Sequence, residues 1–382
     1  MLAVYIHIPF CERKCNYCAF SSFACIDKEK DRYISSLLNE IENFDFKNFE
    51  FNSNLLCVNR TKTTSYEVDT IYIGGGTPSL LTIEDLTKIL NKIKEKFKIS
   101  SNCEISIECN PNSLTYEKAC GYKNLGINRV SLGIQSLDDE ELKFIGRLHN
   151  SSQALDAIDM VKKAGIKNIS CDMIIGLQNQ TPETFKNQLE TLIKKDIKHI
   201  STYMLQIEDG TPLAKFASHN ADFLPCEDEN AFVYKQASAF LEEHGFKRYE
   251  VSNFAKLGYE SRHNFKYWTG ENYIGFGLSA HSYIDGIRYA NANNFADYYS
   301  RKLALKETLS KQELIEEHLM LGLRCARGVD LEYLQKLGKN IENNENFKYF
   351  LEKNVIFQVK NKFFLNPDYY EVNNYVIVKL MS

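Results

Sequence analysis

Three cysteines near the start of the chain have a spacing that suits metal chemistry. Cys11, Cys15 and Cys18 follow an apolar, strand-like run at 3–8 with the pattern C-x3-C-x2-C, and no fourth cysteine joins them closely. Thiolates are the usual ligands of iron–sulfur clusters, and a four-iron cluster takes four ligands. Three cysteines would hold three irons and leave the fourth iron open to a small molecule. An open position is typical of a reactive metal site rather than a structural one.

The same spacing is compatible with two simpler interpretations. The cysteines could belong to a zinc site with a distant fourth ligand, or they could be buried thiols without a metal, because short cysteine patterns also arise by chance. The chain has 11 cysteines, an odd number, and most are isolated in the sequence. In the absence of a secretory signal, this usage predicts a reducing cytoplasm rather than a disulfide framework.

The composition is that of a soluble globular protein. The 382 residues are 44% hydrophobic and 25% charged, and this length predicts two or three domains. The net charge is −4 and the lysines are scattered, which argues against a nucleic-acid partner. The N-terminus lacks the features of a signal peptide, and no apolar run approaches the ~18 residues of a membrane span. We therefore expect a cytoplasmic protein.

Short apolar runs alternate with longer, more polar helical patterns over residues 1–210. This alternation predicts parallel strands joined by right-handed helical crossovers. Six such repeats could close partly into a (β/α)6 barrel or stay open as a doubly wound sheet. The stretch at 43–66 predicts an extended, solvated loop. The predicted strands lie at 3–8, 69–73, 104–109, 129–134, 169–175 and 200–205, and the predicted helices lie near 28–43, 83–97, 115–125, 138–146, 151–165 and 182–195.

Polar groups recur where these predicted strands end. The groups are Cys11, the Gly-Gly-Gly-Thr run at 74–77, Glu108, Gln135, Asp172 and the stretch 203–206, one for each strand in turn. All but Asp172 lie at a carboxyl end or just beyond it. Barrels and open α/β sheets place their sites on that face. Each residue alone could be a cap or a packing residue, but the recurrence over six strands predicts one site.

The side chains at these positions suit a particular ligand chemistry. The glycines at 74–76 expose backbone that a ligand can approach. Glu108 could accept from an ammonium group, Gln135 and Asp172 could bond a ribose or a carboxylate-bearing tail, and Arg147 could clamp a carboxylate. Singly, each could equally form a surface hydrogen bond or salt bridge. Together they match an amino acid joined to a nucleoside. S-adenosylmethionine (SAM) is such a molecule, and its amine and carboxylate can chelate an open iron.

An ordered series of motifs runs through nearly the whole chain and is highly specific. The motifs are Tyr5 to Phe10 with the cysteine triad, the run 74–79, Ile107-Glu108-x-Asn110-Pro111, the run 128–136, Gly146-Arg147 and the run 172–177. They resemble the radical SAM superfamily. More narrowly, they resemble the branch that contains anaerobic coproporphyrinogen III dehydrogenases and haem chaperones. The resemblance implies an α/β fold, a partial (β/α)6 barrel with a C-terminal extension and a small helical or winged C-terminal domain.

The resemblance also implies which residues hold the cofactors. A [4Fe-4S] cluster would bind to the three cysteines, and SAM would contact Tyr5, Gly75, Glu108 and Met204. The dehydrogenases bind a second SAM, and the positions that match it are Tyr17, Gly76, Thr77, Gln135, Arg147 and Asp172. Whether this chain keeps one SAM site or two is left open at this point.

Two features separate the dehydrogenases from the chaperones. The dehydrogenase pattern has a further cysteine two residues after the third, and Phe20 stands at that position here. The dehydrogenases also carry an N-terminal extension, whereas this chain starts four residues before Tyr5. Both features favour the chaperone branch. The alternative is an oxygen-independent coproporphyrinogen III dehydrogenase, which would decarboxylate its substrate oxidatively to protoporphyrinogen IX.

The segment His263-Asn264-Phe265-Lys266-Tyr267-Trp268 resembles the H-N-x-x-Y-W motif associated with haem binding in the chaperone branch. Imidazole is a standard axial ligand of haem iron, and Tyr267 and Trp268 could lie against a flat macrocycle. In the simpler interpretation, His263 and Asn264 form a satisfied polar corner and Trp268 fills core. His281 is a second candidate for a haem or cofactor contact.

The resemblance implies a haem chaperone with three cofactors: the cluster, SAM and haem. Its partners would be haem, recipient proteins that include membrane respiratory enzymes, and an electron donor for the cluster. Membrane association would be transient. We expect the barrel at 1–210, the extension with the H-N-x-x-Y-W motif at 211–304, and a small domain at 305–382 without chemistry of its own.

Overall fold

A computed structural model describes residues 1–24, 27–46, 66–220 and 223–382. Most of the loop predicted at 43–66 lies outside these residues. In the described ranges the strands are β1 Leu2–Ile8, β2 Phe10–Cys11, β3 Phe23–Ala24, β4 Glu67–Gly75, β5 Lys98–Cys109, β6 Arg129–Gln135, β7 Asn168–Ile175, β8 His199–Met204, β9 Lys247–Arg248, β10 Asn253–Ala255, β11 Tyr273–Phe276, β12 His281–Ile284, β13 Ile287–Asn291, β14 Leu303–Thr308, β15 Val329–Asp330, β16 Ile356–Val359 and β17 Lys362–Leu365.

The α-helices follow the strands in the predicted alternation. They are α1 Asp27–Asn43, α2 Ile83–Lys96, α3 Tyr116–Asn124, α4 Asp139–Phe144, α5 Ser151–Lys163, α6 Pro182–Lys194, α7 Pro212–Ala217, α8 Glu227–Glu243, α9 Arg262–Trp268, α10 Phe295–Tyr299, α11 Lys311–Gly322, α12 Leu331–Lys336, α13 Glu345–Glu352 and α14 Asn373–Met381. Several helices begin at reciprocal caps, such as Thr82 with Asp85 on α2 and Asn150 with Gln153 on α5. These caps satisfy backbone amides that the first helical turn leaves without partners.

Six parallel strands form the centre of the molecule. The sheet order β1-β4-β5-β6-β7-β8 is sequential, and every pairing in it is parallel. This order confirms the predicted partial (β/α)6 barrel. All six strands therefore end on the same side of the sheet, where their polar end residues come together.

The parallel strands alternate between apolar and polar residues. The apolar positions, such as Ile105 and Ile107 on β5, belong to the main hydrophobic core. The polar positions bond to one another between neighbouring strands, as the Tyr72 hydroxyl does to Glu108 and the Ser131 hydroxyl does to Asp172. Because side chains alternate between the two faces of a strand, one face of the sheet packs on helices and the other forms a polar interior.

The extension continues the sheet on both sides of the barrel. β11 pairs in parallel with β1, and β12, β13 and β14 follow as antiparallel strands, so that β14 is one edge. At the other side, β10 and β9 extend the sheet from β8. The result is one 12-stranded sheet, whose main core includes residues of both the barrel and the extension.

The C-terminal segment has a small sheet and a core of its own. β17 lies between β15 and β16 in an antiparallel sheet, beside α11 to α14. Leu319, Phe347, Phe363 and Ile377 are among the residues of its buried core. This arrangement matches the predicted helical and winged domain, while the boundaries drawn at 210 and 304 stay predictions. No helix in the described ranges has both the length and the apolar character needed to cross a bilayer.

Candidate functional site

Cys11 ends the short strand β2, and Cys15 and Cys18 lie in the loop that follows it, above the carboxyl ends of the parallel strands. Cys11 is buried, Cys15 and Cys18 are half-buried, and all three are free thiols on one cavity of about 730 Å³. We call this space the thiol cavity. The loop is anchored by Asn16, whose backbone and side-chain amides donate to the carbonyls of Ile145 and Phe144.

The thiol cavity also brings together the residues predicted for SAM. Its walls include Tyr17, Gly75, Gly76, Thr77, Glu108, Gln135, Arg147, Asp172 and Met204. Tyr5 is the exception, because its side chain is not among the residues that line this cavity. The Tyr5 hydroxyl instead bonds to His7 Nδ1 at 3.0 Å. Its role as a SAM contact stays a prediction.

The glycine run brings backbone unusually close to the cysteine loop. A Cβ on Gly76 would lie 2.7 Å from the Phe10 carbonyl oxygen and 3.0 Å from Cys11 Sγ. A Cβ on Gly75 would meet the His7 ring at 2.7 Å, and its φ of +118° already favours glycine. Glycine is therefore required here to let the strand end and the thiol loop approach one another.

Glu108 is a buried carboxylate held by two donors. The Tyr72 hydroxyl donates to Oε1 at 2.8 Å, and the Gly75 amide donates to Oε2 at 3.0 Å. Burial, with a smaller contribution from the nearby Asp172, raises the pKa of Glu108 to about 7. An ammonium group placed against Glu108 would favour its ionised form and recover the cost of burying that charge.

Arg147 connects the cysteine loop to the strand ends. Its Nη2 donates to Asn110 Oδ1 and to the Gly133 carbonyl, both at 2.7 Å, and Nη1 lies 3.5 Å from Cys15 Sγ. Its Nε is buried without a protein partner. A buried donor in this state has unused capacity for a ligand acceptor, such as a carboxylate.

The donor set fits a cluster with several irons. Thr77 Oγ1 donates to Cys11 Sγ at 3.6 Å and Arg147 Nη1 donates to Cys15 Sγ at 3.5 Å, so both sulfur atoms already accept from protein donors. Burial raises the pKa of the Cys18 thiol, which bound iron would reverse. Within the described ranges, no three His, Cys, Asp or Glu side chains are grouped in the geometry of a single-ion site.

Comparison with known proteins agrees with this geometry. Residues 5–192 match the model of the radical SAM superfamily. The chain is 33% identical to the heme chaperone HemW of Lactococcus lactis, over 99% of this chain and 97% of the relative. It is 35% identical to the HemW of Bacillus subtilis, over 90% of this chain and 88% of the relative. The chain belongs to the HemW family of radical SAM proteins.

Membership of the HemW family confirms the resemblance drawn from the motifs. Among solved structures, coproporphyrinogen III oxidase (HemN) from Escherichia coli superposes with a TM-score of 0.80, over all of this chain and 90% of the other. The sequence identity to HemN is 20%, so the similarity establishes a shared fold. Both results agree with the fold predicted from the sequence.

A second cavity of about 570 Å³ lies beside the thiol cavity in this HemW-family chain. Its walls include Tyr5, His7, Phe20, Tyr267, Tyr273 and His281. We call it the aromatic cavity. Phe20, which is 71% exposed, lines both cavities. The position that separates the two family branches in sequence therefore lies at the boundary between two possible ligand sites.

The HemW-type motif at His263 occupies α9, behind the aromatic cavity. His263 is buried, its Nδ1 bonds to Thr70 Oγ1 at 3.0 Å, and its Nε2 bonds to the Tyr267 hydroxyl at 2.8 Å. Burial, assisted by Lys266 and Arg129, lowers the pKa of His263 to about 3. This is the satisfied polar arrangement considered as the simpler interpretation. Trp268 is half-buried and is not among the residues lining the aromatic cavity.

The C-terminal segment reaches the thiol cavity, which the sequence did not indicate. Arg324, Tyr370, Asn373 and Asn374 contribute to its walls. Arg324 donates to the side-chain oxygens of Asn373 and Asn374 at 3.3 and 2.6 Å. These residues come from a segment whose sequence gave no sign of chemistry, and only the packing of that segment on the barrel places them here.

Proposed function

We propose that the protein is a haem chaperone that holds a [4Fe-4S] cluster and SAM. The observation that carries this proposal is the thiol cavity, where three free cysteines and the polar strand-end groups face one space. Support also comes from the HemW relatives, which are named heme chaperones. The adjoining aromatic cavity offers a separate space of the size that small-molecule sites usually have.

Cys11, Cys15 and Cys18 would hold three irons of the cluster, and the fourth would be open to SAM. When bound, the reduced cluster can supply one electron to SAM. Glu108 would accept hydrogen bonds from the ammonium group of the ligand, and the buried, unpaired Nε of Arg147 would donate to its carboxylate. These protein groups would bind and orient the amino-acid end of SAM. The polar interior of the barrel behind them would supply further hydrogen-bond partners.

Gln135 and Asp172 would bind the ribose. Asp172 already accepts from Ser131 Oγ at 3.3 Å, and burial raises the pKa of its carboxyl. Met204 lies half-exposed at the end of β8, where it lines the thiol cavity. The positions that match a second SAM in the dehydrogenases line the same cavity. The same residues would therefore form the walls whether the cavity binds one SAM molecule or two.

Haem would be passed to recipient proteins, with membrane respiratory enzymes as candidates, and a reductant protein would supply electrons to the cluster. We infer a cytoplasmic location from the free cysteines and a transient association with membranes. These partners follow from the family and not from any surface described above.

One anaerobic experiment tests the proposal against the alternative enzyme. The cluster is reconstituted, and the protein is mixed with reductant, SAM and coproporphyrinogen III, after which protoporphyrinogen IX is measured. Haem is then titrated into the same preparation. We expect stoichiometric haem binding without turnover. Sustained decarboxylation, or no haem binding at all, contradicts the chaperone function.

A further inference from the structure

The aromatic cavity differs from the thiol cavity in the chemistry of its walls. Phe20, Tyr5, Tyr267 and Tyr273 contribute aromatic rings, and no Asp, Glu, Lys or Arg is among the described residues that line it. A charged group on a ligand would find no charged partner here and would have to remain in solvent. Flat conjugated rings suit aromatic walls, because ring faces stack on them at little desolvation cost.

Most polar side chains on this cavity already have hydrogen-bond partners. His7 bonds through Nδ1 to the Tyr5 hydroxyl at 3.0 Å and through Nε2 to the Ser21 carbonyl at 2.9 Å. The Tyr267 hydroxyl bonds to His263, and the Tyr273 side chain bonds to Arg288. Each of these groups would have to break a bond before it could coordinate a metal.

His281 is different from the other histidines near the cavity. It is exposed at the first position of β12, and its ring has no hydrogen bond to any described residue. Its backbone is held by both neighbouring strands. On one side, His281 pairs with Ala290 of β13. On the other side, the Gly275 amide of β11 donates to the hydroxyl of the next residue, Ser282, at 2.8 Å. A Cβ on Gly275 would collide with the His281 carbonyl oxygen.

We infer that His281 is the axial ligand of haem iron, and that haem binds in the aromatic cavity. This inference rests on the proposed function, namely that the protein binds haem. A neutral imidazole on a rigid strand, free of other partners, is the ligand that haem iron takes most often. The macrocycle would lie against Phe20 and Tyr267.

His263 takes a positioning role in this arrangement. Its bond from Nε2 to the Tyr267 hydroxyl and its bond from Nδ1 to Thr70 leave neither ring nitrogen for iron. The two rings meet edge to face at 5.2 Å between centroids. His263 therefore holds Tyr267 in the cavity wall, and the H-N-x-x-Y-W motif reaches haem through its tyrosine.

The test compares haem titrations of the full-length wild-type protein, His281→Gly, and His219→Ala as a matched control. His219 is exposed on the surface, where its ring bonds to the Lys215 carbonyl. We expect His281→Gly to weaken ferric haem binding by more than roughly tenfold. Loss of a group that only hydrogen-bonds to a metal ligand already costs about that much, and loss of the ligand itself should cost more. It should also lose the absorption and EPR signature of imidazole ligation. Added imidazole should restore both, and His219→Ala should match wild type.

The outcomes separate the ligand from the function. If wild type binds no haem, the proposed function fails. If wild type binds haem and His281→Gly binds it with equal affinity and an unchanged spectrum, His281 is not the ligand, while the chaperone function stands. The inference is also overturned if His281→Gly keeps the wild-type content of cluster iron but loses haem binding that added imidazole does not restore. His281 would then act only through the shape of the cavity. A shift to a thioether-type spectrum in His281→Met supports it.

Discussion

The thiol cavity and the aromatic cavity meet at Phe20, yet their walls come from different parts of the fold. The thiol cavity is lined by the ends of the six parallel strands and contains charged Glu108, Arg147 and Asp172. The aromatic cavity is built from β1, α9 and the antiparallel strands β12 to β14, with no charged lining residue in the described ranges. The thiol cavity supplies charged groups, whereas the aromatic cavity supplies uncharged, largely aromatic walls. We expect the two sites to be separable by mutation.

The strongest test of this separation is Cys18→Ser. We expect almost complete loss of cluster iron, because a serine hydroxyl is a poor substitute for the thiolates that iron–sulfur clusters require. Iron analysis and visible absorption after anaerobic reconstitution measure this loss. Haem affinity, measured without SAM, should stay at the wild-type value, because no ligand then moves Phe20.

The matched control is Cys226→Ser, which changes an exposed cysteine at the start of α8. It should keep its full iron content. If Cys18→Ser lost haem and iron together while remaining folded, the two cavities would not be independent sites.

The next largest effect is expected for Glu108→Gln. Loss of a charged hydrogen bond worth about 1.5–3 kcal/mol should weaken SAM binding roughly 10–100-fold. Burial raises the pKa of Glu108 to about 7, so wild-type affinity should fall as the pH drops below that value, because the ammonium group needs the ionised carboxylate. Calorimetry across this pH range should show the dependence in wild type and not in the variant.

Glu140→Gln is the control for this change, because Glu140 is an exposed carboxylate on α4. Its SAM affinity and pH profile should match wild type. An unchanged pH profile in Glu108→Gln would mean that another group contributes the titration.

A moderate effect on stability is expected for His263→Ala. The change would leave the buried hydroxyls of Thr70 and Tyr267 without a partner, which costs about 1–3 kcal/mol of unfolding free energy. Urea unfolding measures this loss. The spectrum of bound haem should keep its imidazole signature. Disappearance of that signature would instead make His263 the ligand.

The smallest effect is expected for Asn374→Ala, at the rim of the thiol cavity. Its bond with Arg324 is exposed, and a typical hydrogen bond contributes about 0.5–1.5 kcal/mol. SAM affinity should change by less than about tenfold, the factor that this energy allows. A larger change in the same calorimetric titration would indicate that the C-terminal segment contacts the ligand directly.

The barrel was predictable because its physical signals are local. Each predicted strand overlaps an observed one, as 169–175 does with β7, and the predicted helices end within a few residues of the observed ones. Parallel topology then places strand ends together, which explains why Glu108 and Gln135, predicted to close neighbouring strands, line one cavity. The polar alternation within strands, such as Arg129 and Ser131 on β6, is also present in the sequence.

The aromatic cavity could not be predicted in the same way. Its walls join Tyr5, Phe20, Tyr267, His281 and Leu305, which lie far apart in the sequence and come together only through the pairing of β11 with β1. Likewise, a histidine motif does not reveal whether its ring nitrogens are free. Hydrogen bonding to Thr70 and Tyr267 decides this for His263, and both partners depend on tertiary packing.

Phe20 has a thermodynamic consequence because its ring forms part of both cavities. A ligand that moves this ring in one cavity changes the free energy of binding in the other. Linkage then requires reciprocity: whatever factor SAM imposes on haem affinity, haem must impose on SAM affinity. A single aromatic side chain would thus let SAM occupancy tune haem affinity, while each cavity keeps its own binding groups.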